Sequence, residues 1–542
     1  MRVLGIEGTA WAASAALYDS DADTVTIETE AYTPDSGGIH PREAAEHMAE
    51  HLPQVTEHVL ETTDSVDAVA FSRGPGLGPC LRLVGTTARA LAQRLDVPLV
   101  GVNHMVAHLE IGRHYSGFED PICLNASGAN AHVLAFQNGR YRVLGETMDT
   151  GVGNAIDKFT RHVGWEHPGG PKVEQQATEG EYFELPYVVK GMDFSFAGIS
   201  SAAKEAYDAG EPVANICYGL QETVFAMLTE VTERALSLTG RTELVLGGGV
   251  GQNARLQEML TEMCAQRGAS FFVPENRFLR DNAGMIAVLG AKMYAAGDTL
   301  EIEESAIDSD FRPDEVNVTW RETNQQVWNA VHDGEGEKSA TGNRKGDDSE
   351  TAVLRGAEAT VTIESAQVQK QRNPRTYRHP TLDTRLRAER TRAEARLTNA
   401  ARRAGVTTPL LYDIDLHEST LVFQRVGDCE LRESVTESHI RELARSLATL
   451  HEAGFVHGDP TTRNVRIQRD ATELFLIDFG LGYYTTSLED YAMDLHILGG
   501  SLGGTEDNAE ALMQAAKETY REYGDDAVLS RLEEIEGRGR YQ

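Results

Sequence analysis

Over residues 1–323 the apolar positions come in short runs broken by glycine-rich turns. VLGI (3–6) and AASAALY (12–18) predict two strands joined by a turn with Gly5, Glu7, Gly8 and Thr9. ICLNASGANAHVLAF (122–136) repeats the pattern with Ser127, Gly128 and Asn130 at the turn, and YRVLGE follows as a third strand. Such turns can present backbone N–H groups to phosphates. Two of them predict two similar subdomains facing each other across a cleft. Between them, GGIHPREAAEHM (37–48) starts a helix after Pro41. AVAFSRGPGLGPCLRLVGTTARALAQRL (68–95) reads as strand, loop and helix, and VPLVGVNH (97–104) as a strand leading into a helix. Strands alternating with helices predict an α/β domain.

The pattern continues through a long helix of about 213–239. TELVLGGGVGQNARLQEML (242–260) is a strand, a triple-glycine loop and a helix with Asn253 at its N-terminus. In FLRDNAGMIAVLGAKMYAAG (278–297), Asp281 stands just before a helix, where capping is the commonest job of an aspartate. Residues 324–350 are polar, charged and glycine-rich, a linker composition. Beyond them, 352–372 predicts strands with Gly356 in a turn and Lys370 near the end of the last.

The chain has 542 residues with 41% hydrophobic content, enough for two or more cores. It has no run of 18 apolar residues, so nothing spans a membrane. MRVLGIEGTA begins directly with a strand pattern and carries no signal peptide. Cys80, Cys123, Cys217, Cys264 and Cys429 form no CxxC pair and read as buried free thiols in a reducing cytoplasm. The net charge of −34 points first to a salt-rich habitat, because at 1 M salt a Debye length of about 3 Å screens self-repulsion.

His104 and His108 stand at i and i+4, on one face of the expected helix, a spacing that can chelate one transition metal. A chance pair has the same spacing. A zinc protease of the His-Glu-x-x-His type needs a glutamate where this chain has Met105, which argues against proteolysis. In the second half, His457-x-Asp459, Asn464 and Asp478-Phe479-Gly480 follow the order of a protein-kinase catalytic loop. There Asp459 would orient the attacking group and Asn464 and Asp478 would hold Mg²⁺ on ATP. Lys370 would pair with the phosphates and with Glu394 on a helix. The loop over the nucleotide would be Arg355, Gly356 and Ala357, which is not GxGxxG, and no Ala-Pro-Glu occurs. Residues 370–403 hold eleven Lys/Arg and three Asp/Glu, a local excess of +8. With Arg538 and Arg540 at the C-terminus, this island suggests RNA phosphate contacts, with Arg378, Arg385 and Arg387 as candidates. Arginines paired with acidic neighbours are the alternative.

RGPGL (73–77), NHMVAH (103–108), GNAIDKF (153–159), HPGGPKVE (167–174), FSFAGIS (194–200) and GGGVGQN (247–253) occur in this order. Over about 1–323 they resemble the universal family that transfers threonylcarbamoyl to N6 of adenosine 37 in tRNAs reading codons that begin with A. The resemblance implies a two-lobed actin/sugar-kinase/Hsp70-like α/β fold. It implies one Fe²⁺ or Zn²⁺ on His104, His108 and Asp281. Threonylcarbamoyl-AMP would lie against Asn125, Ser127, Gly128, Asn130, Asp157, Gly170, Glu174 and Asn253, with Asp157 and Glu174 on ribose hydroxyls. Asn125 stands where archaeal relatives often carry a metal-binding tyrosine. PRTYRHPTLDTRLRAERTRAEARL (374–397) and HGDPTTRN (457–464) resemble the RIO-like small kinase of the KEOPS complex. That implies an α+β kinase-like domain over 351–542, acting as an ATPase switch for the transferase. It also implies small accessory subunits that dimerise and recruit tRNA, and an upstream threonylcarbamoyl-AMP synthase. The sequence thus reads as a cytoplasmic fusion of the two enzymes.

Overall fold

Val3, Leu4 and Ile6 form a near-continuous apolar run around Gly5 on a strand that is covered on both faces, and all three are fully buried. In the computed structural model this strand, β1 (Arg2–Glu7), is the centre of a five-stranded sheet. The structure describes residues 1–33, 39–137, 139–321, 352–356, 358–468, 473–506 and 508–538. It divides into two units that break at Trp320/Arg321, with the short stretch Thr376–His379 clustering with the first.

The first unit contains two sheets of matching design. β2 (Ala12–Asp19) and β3 (Thr24–Ala31) run antiparallel from β1, while β4 (Ala68–Gly74) and β5 (Leu99–Asn103) extend it in parallel, in the order β3-β2-β1-β4-β5. In the second sheet β6 (Ile122–Ala126), β7 (Ala131–Gln137) and β8 (Arg140–Glu146) form the antiparallel part. A ribbon of β9 (Val189–Lys190) and β10 (Asp193–Phe194) intervenes. β11 (Glu243–Gly247) and β12 (Ser270–Phe272) then add in parallel, giving β12-β11-β6-β7-β8. The repeat seen in the strand–turn–strand pattern is therefore a repeat of sheet topology.

Helices cover both sheets in layers. α1 (Pro41–Leu60) and α2 (Gly78–Leu95) pack on one face of the first sheet. α3 (His104–Ser116) lies in the core between the two sheets. α4 (Val152–Val163), α5 (Gly170–Ala177), α6 (Ala197–Asp208), α7 (Val213–Thr239) and α8 (Ala254–Arg267) cover the far face of the second sheet. After the short α9 (Asn276–Leu279), α10 (Ala283–Ala295) joins α3 in the shared core. Close approach explains the small residues here. A Cβ on Gly5 would collide with the backbone of Ala283, and one on Gly290 with the side chain of Ala70. A Cβ on Gly112 would collide with Val245, so α3 lies directly on β11.

The second unit opens with an antiparallel sheet in the order β13-β14-β15-β17-β16. Its strands are β13 (Ala352–Arg355), β14 (Ala359–Ile363), β15 (Gln367–Arg372), β16 (Leu411–Asp415) and β17 (Thr420–Gln424). The Pro380–Ala404 helix packs beside it. A helical part follows, with helices at Glu437–Glu452, Leu488–Thr505, Ala509–Tyr523 and Asp526–Arg538. It carries two small sheets: β18 (Cys429–Glu430) with β20 (Val465–Ile467) and β21 (Leu474–Leu476), and β19 (Phe455–Val456) with β22 (Tyr483–Tyr484).

All five cysteines are buried and free. Among the described residues no helix is long and apolar enough to cross a membrane. The expected linker 324–350, Ala357, Arg540 and the side chains of Arg355 and Arg538 lie outside the described residues. One expectation is corrected. Arg378 is not a surface arginine; it is buried and pairs with Glu230, an acidic partner that neutralises it out of reach of solvent phosphate. Arg387 is likewise turned onto Asp383, at 2.7 Å, and Arg385 is half-buried.

Candidate metal and nucleotide sites

Helix α3 begins where Asn103 caps it, its side chain accepting from the backbone N–H of Met105 and Val106 at 3.0 and 3.1 Å. That places His104 and His108 on the first turns, stacked edge to face with ring centroids 4.9 Å apart. Asp281 comes from the loop before α10. It does not cap that helix: Asn282 does, accepting from the N–H of Met285 at 3.1 Å. Asp281 is thus left to point at the histidines. Its Oδ1 lies 3.3 Å from Nε2 of His104 and 3.3 Å from Nε2 of His108. One donor atom from each of the three falls within 4.8 Å of the others.

Glu7, at the end of β1, completes this group. Its Oε2 lies 3.2 Å from Nδ1 of His104, and its Oε1 accepts from the backbone and hydroxyl of Thr9 at 2.8 and 2.6 Å. The sequence shows Glu7 only as a turn residue; its spacing from His104 carries no signal. Burial opposes charge on His104, but Glu7 and Asp281 outweigh it and push His104 up to about 10. Burial pulls His108 below its ordinary value. Against the upward push of burial, His104 holds both Glu7 and Asp281 below the usual carboxylate range.

The donor set fits Fe²⁺ or Zn²⁺. Two imidazole nitrogens and one carboxylate oxygen are borderline ligands, and three protein donors leave positions open for a substrate. Glu7 on Nδ1 leaves Nε2 of His104 as the ligating nitrogen, the usual outer-shell arrangement of a metal-bound histidine. Asn125 is fully buried beside Met105, its Nδ2 3.7 Å from Sδ, and its Oδ1 has no donor among the described residues. Gly248, at φ +83°, passes so close that a Cβ would stand 2.6 Å from that Oδ1.

The other predicted residues serve the loops around this core. Ser127 closes the β6–β7 turn by accepting from Asn130 N–H at 3.1 Å, and Gly128 O accepts from Asn154 N–H at 2.8 Å. Gly170 has open space where a side chain would be, and a Cβ on Gly128 would meet Oδ1 of Asn154 at 3.9 Å. Asp157 accepts from Gly169 N–H at 2.7 Å and lies 3.1 Å from Nδ1 of His167, which it raises. Glu174 accepts from Ala254 N–H at 2.8 Å. Asn253 caps α8 and donates to Gln221 at 3.1 Å. These side chains hold the loops around the core in place.

In the second unit Lys370, on β15, bridges two carboxylates. Nζ lies 2.9 Å from Oε1 of Glu394 and 2.7 Å from Oδ1 of Asp478. Against burial, Lys370 and then Arg372 hold Asp478 below the usual carboxylate range. Asp478 sits at φ +65°, in the left-handed region that a non-glycine residue seldom occupies. Asn464 donates to the side chain and carbonyl of Asp459, both at 2.8 Å. His457 is buried, with Nε2 3.0 Å from the carbonyl of Ile477, and burial keeps its pKa low. Asp494 is a residue the sequence did not single out. It accepts from the N–H of His457 and Gly458 at 2.8 and 2.9 Å and holds the loop before Asp459. Gly356 is exposed in the β13–β14 turn, donating to Ala359 O at 2.9 Å. Asp459, Asn464 and Asp478 carry oxygens suited to Mg²⁺.

Comparison with known proteins gives the family. The family model TsaD, tRNA N6-adenosine threonylcarbamoyltransferase, matches residues 22–288. A bifunctional tRNA threonylcarbamoyladenosine biosynthesis protein of Haloarcula marismortui is 65% identical over 565 residues, covering 100% of both chains. Its namesake in Halobacterium salinarum is also 65% identical, covering 100% of this chain and 99% of its own. That of Methanospirillum hungatei is 49% identical over 99% of both. The first unit is of the actin/sugar-kinase/Hsp70-like kind, with mixed sheets. The chain therefore belongs to the family of bifunctional tRNA threonylcarbamoyladenosine biosynthesis proteins.

Proposed function

We propose that the first unit transfers threonylcarbamoyl from threonylcarbamoyl-AMP to N6 of adenosine 37 in tRNAs reading codons that begin with A. The observation that carries this is the convergence of His104, His108 and Asp281, in a chain related to its family end to end. A bound Fe²⁺ or Zn²⁺ supplies Lewis acidity toward the substrate's oxygens. His104, His108 and Asp281 hold that ion, and Glu7 fixes the His104 ring. Backbone N–H groups of the Ser127–Asn130 turn and the Gly247–Gly249 loop orient the adenylate. The adenosine N6 forms a bond to the carbamoyl carbon, the carbon–oxygen bond to the phosphate breaks, and AMP leaves with one N6 proton released. Catalysis is positioning and charge stabilisation.

The second unit is read as a small protein-kinase-like domain that hydrolyses ATP to serve the transferase. Lys370 pairs with phosphate and with Glu394, Asn464 and Asp478 hold Mg²⁺, and Asp459 orients the attacking group. One chain fixes the two activities at one to one and at high effective concentration. Cytoplasmic KEOPS-type accessory subunits, a separate synthase and tRNA complete the reaction. The test is label transfer in molar KCl, with unmodified tRNA, ATP, labelled threonine, bicarbonate, synthase and accessory subunits. Label that enters tRNA and vanishes with His104→Ala is the expected result. No label, with ATP hydrolysis that still depends on Asp478, would make a stand-alone kinase the better description.

A further inference from the structure

Arg372 follows Lys370 by two positions on β15, so both side chains leave the same face of the strand. It is 2% exposed. Its Nη2 donates to Oε2 of Glu394 at 2.6 Å and lies 3.6 Å from Oδ1 of Asp478. Its Nε and Nη1 are buried with no acceptor among the described residues. Gly480 is shaped to this group, since a Cβ there would collide with Nη2. A buried guanidinium with unpaired N–H groups is a net cost to folding, so stability does not account for it.

Lys370 and Arg372 meet the same two carboxylates, Glu394 and Asp478, and the charge of Glu358 also acts on Arg372 and Asp478. When a nucleotide binds, lysine is the cation that moves onto its phosphates. Arg372 is then the cation left on Glu394 and Asp478. In protein kinases the lysine–glutamate pair and the Mg²⁺-binding aspartate are brought into place by a phosphorylated activation segment. Here only Tyr483–Ser487 separates Gly482 from the helix at Leu488, and Tyr483 and Tyr484 are tied into β22.

We propose that Arg372 is a built-in clamp: it holds Glu394 and Asp478 in their working positions, so the Mg²⁺–nucleotide site assembles with no phosphorylated activation segment. This rests on the nucleotide reading of the second unit. Arg372 is a positioning residue, because it touches the carboxylates and not the nucleotide.

The experiment measures ATP hydrolysis by the full chain across ATP and Mg²⁺ concentrations, after phosphatase treatment, with rates expressed per folded molecule. Wild type keeps its full rate. Arg372→Met lowers kcat by about tenfold or more while KM for ATP moves less than about threefold, because Lys370 still meets the phosphates. Arg372→Lys recovers part of the loss. Gly480→Ala, which displaces the guanidinium without removing it, also lowers kcat, and adds little on top of Arg372→Met. A kcat for Arg372→Met within about twofold of wild type overturns the clamp, as does a Gly480→Ala loss that adds fully to the Arg372→Met loss. A wild-type rate that phosphatase abolishes overturns it too. Turnover unchanged in Asp478→Asn is a separate failure: it removes the nucleotide reading, and the clamp with it.

Discussion

Oε2 of Glu7 stands 3.2 Å from Nδ1 of His104, so a residue at the end of the first strand sets which nitrogen of a helix histidine faces Asp281. Outer partners of this kind are worth about 10–100-fold in metal affinity. Glu7→Gln is therefore expected to weaken Fe²⁺ or Zn²⁺ binding by that factor while leaving the fold intact. Calorimetric metal titration checks it; unchanged affinity would show that Glu7 only ties the turn to Thr9.

The charges of this group set a pH dependence for the metal-free chain. His104 is raised from 6.5 to about 10, so the stability it contributes is complete below about pH 6.5 and lost as pH rises toward 10. Glu7 and Asp281 are lowered, so their contribution is present above the ordinary carboxylate range and lost as pH falls below it. The thermal midpoint of the metal-free protein should fall between pH 7 and pH 10. Loading metal displaces the His104 proton, so proton release on metal addition at pH 8 should be measurable in weak buffer. A flat midpoint over that range contradicts the assignment.

Asp281→Asn keeps the size of the side chain and removes its charge. Asn282 caps α10 independently, so the helix should survive. Metal binding and label transfer to tRNA should both be lost, with the circular dichroism spectrum unchanged. Transfer near the wild-type rate would exclude Asp281 as a ligand.

Glu110 anchors the back of the histidine helix. It is fully buried, accepts from Tyr141 at 2.6 Å, and meets Arg113 at 2.9 Å and Lys292 of α10 at 3.1 Å. Removing one side of a buried charge cluster costs about 3–5 kcal/mol. Glu110→Ala should lose that much stability in denaturant titration. A loss below about 1 kcal/mol would mean that water takes over the partners.

Asp494 holds the backbone before Asp459 through two N–H groups. Asp494→Asn exchanges one acceptor oxygen for a donor and should misplace Asp459. A shift of about 1 Å in a reacting group costs about 100-fold, so ATP turnover should drop on that scale with nucleotide binding retained. Steady-state kinetics beside a nucleotide-binding titration separates the two.

Much of this was legible in the residues. Short apolar runs and turn glycines gave most strands of both sheets, though not β3 or β12, and the repeat of strand–turn–strand units foretold the repeated topology. The histidine spacing predicted one shared face, which the helix provides. Three features were not legible. Glu7 sits 97 positions from His104, too far for any local pattern to pair them. The choice between Asp281 and Asn282 as the α10 cap is a choice between neighbours, both of them good capping residues. The basic stretch 370–403 looked like an RNA surface because sequence counts charge and not exposure, and Arg372, Arg378 and Arg387 proved to face carboxylates.

By itself the sequence determined what local forces decide: where strands and helices begin, which turns need glycine, and that His104 and His108 share a helix face. Those outcomes depend on dihedral preference, capping and periodicity over a few residues. Only the tertiary structure decided that Asp281, 173 positions from His108, meets it at 3.3 Å. Gly5 and Gly290 let α10 approach the first sheet closely, and burial of the shared core draws α3 and α10 together. The candidate metal site is where that packing brings Asp281 onto the histidine pair.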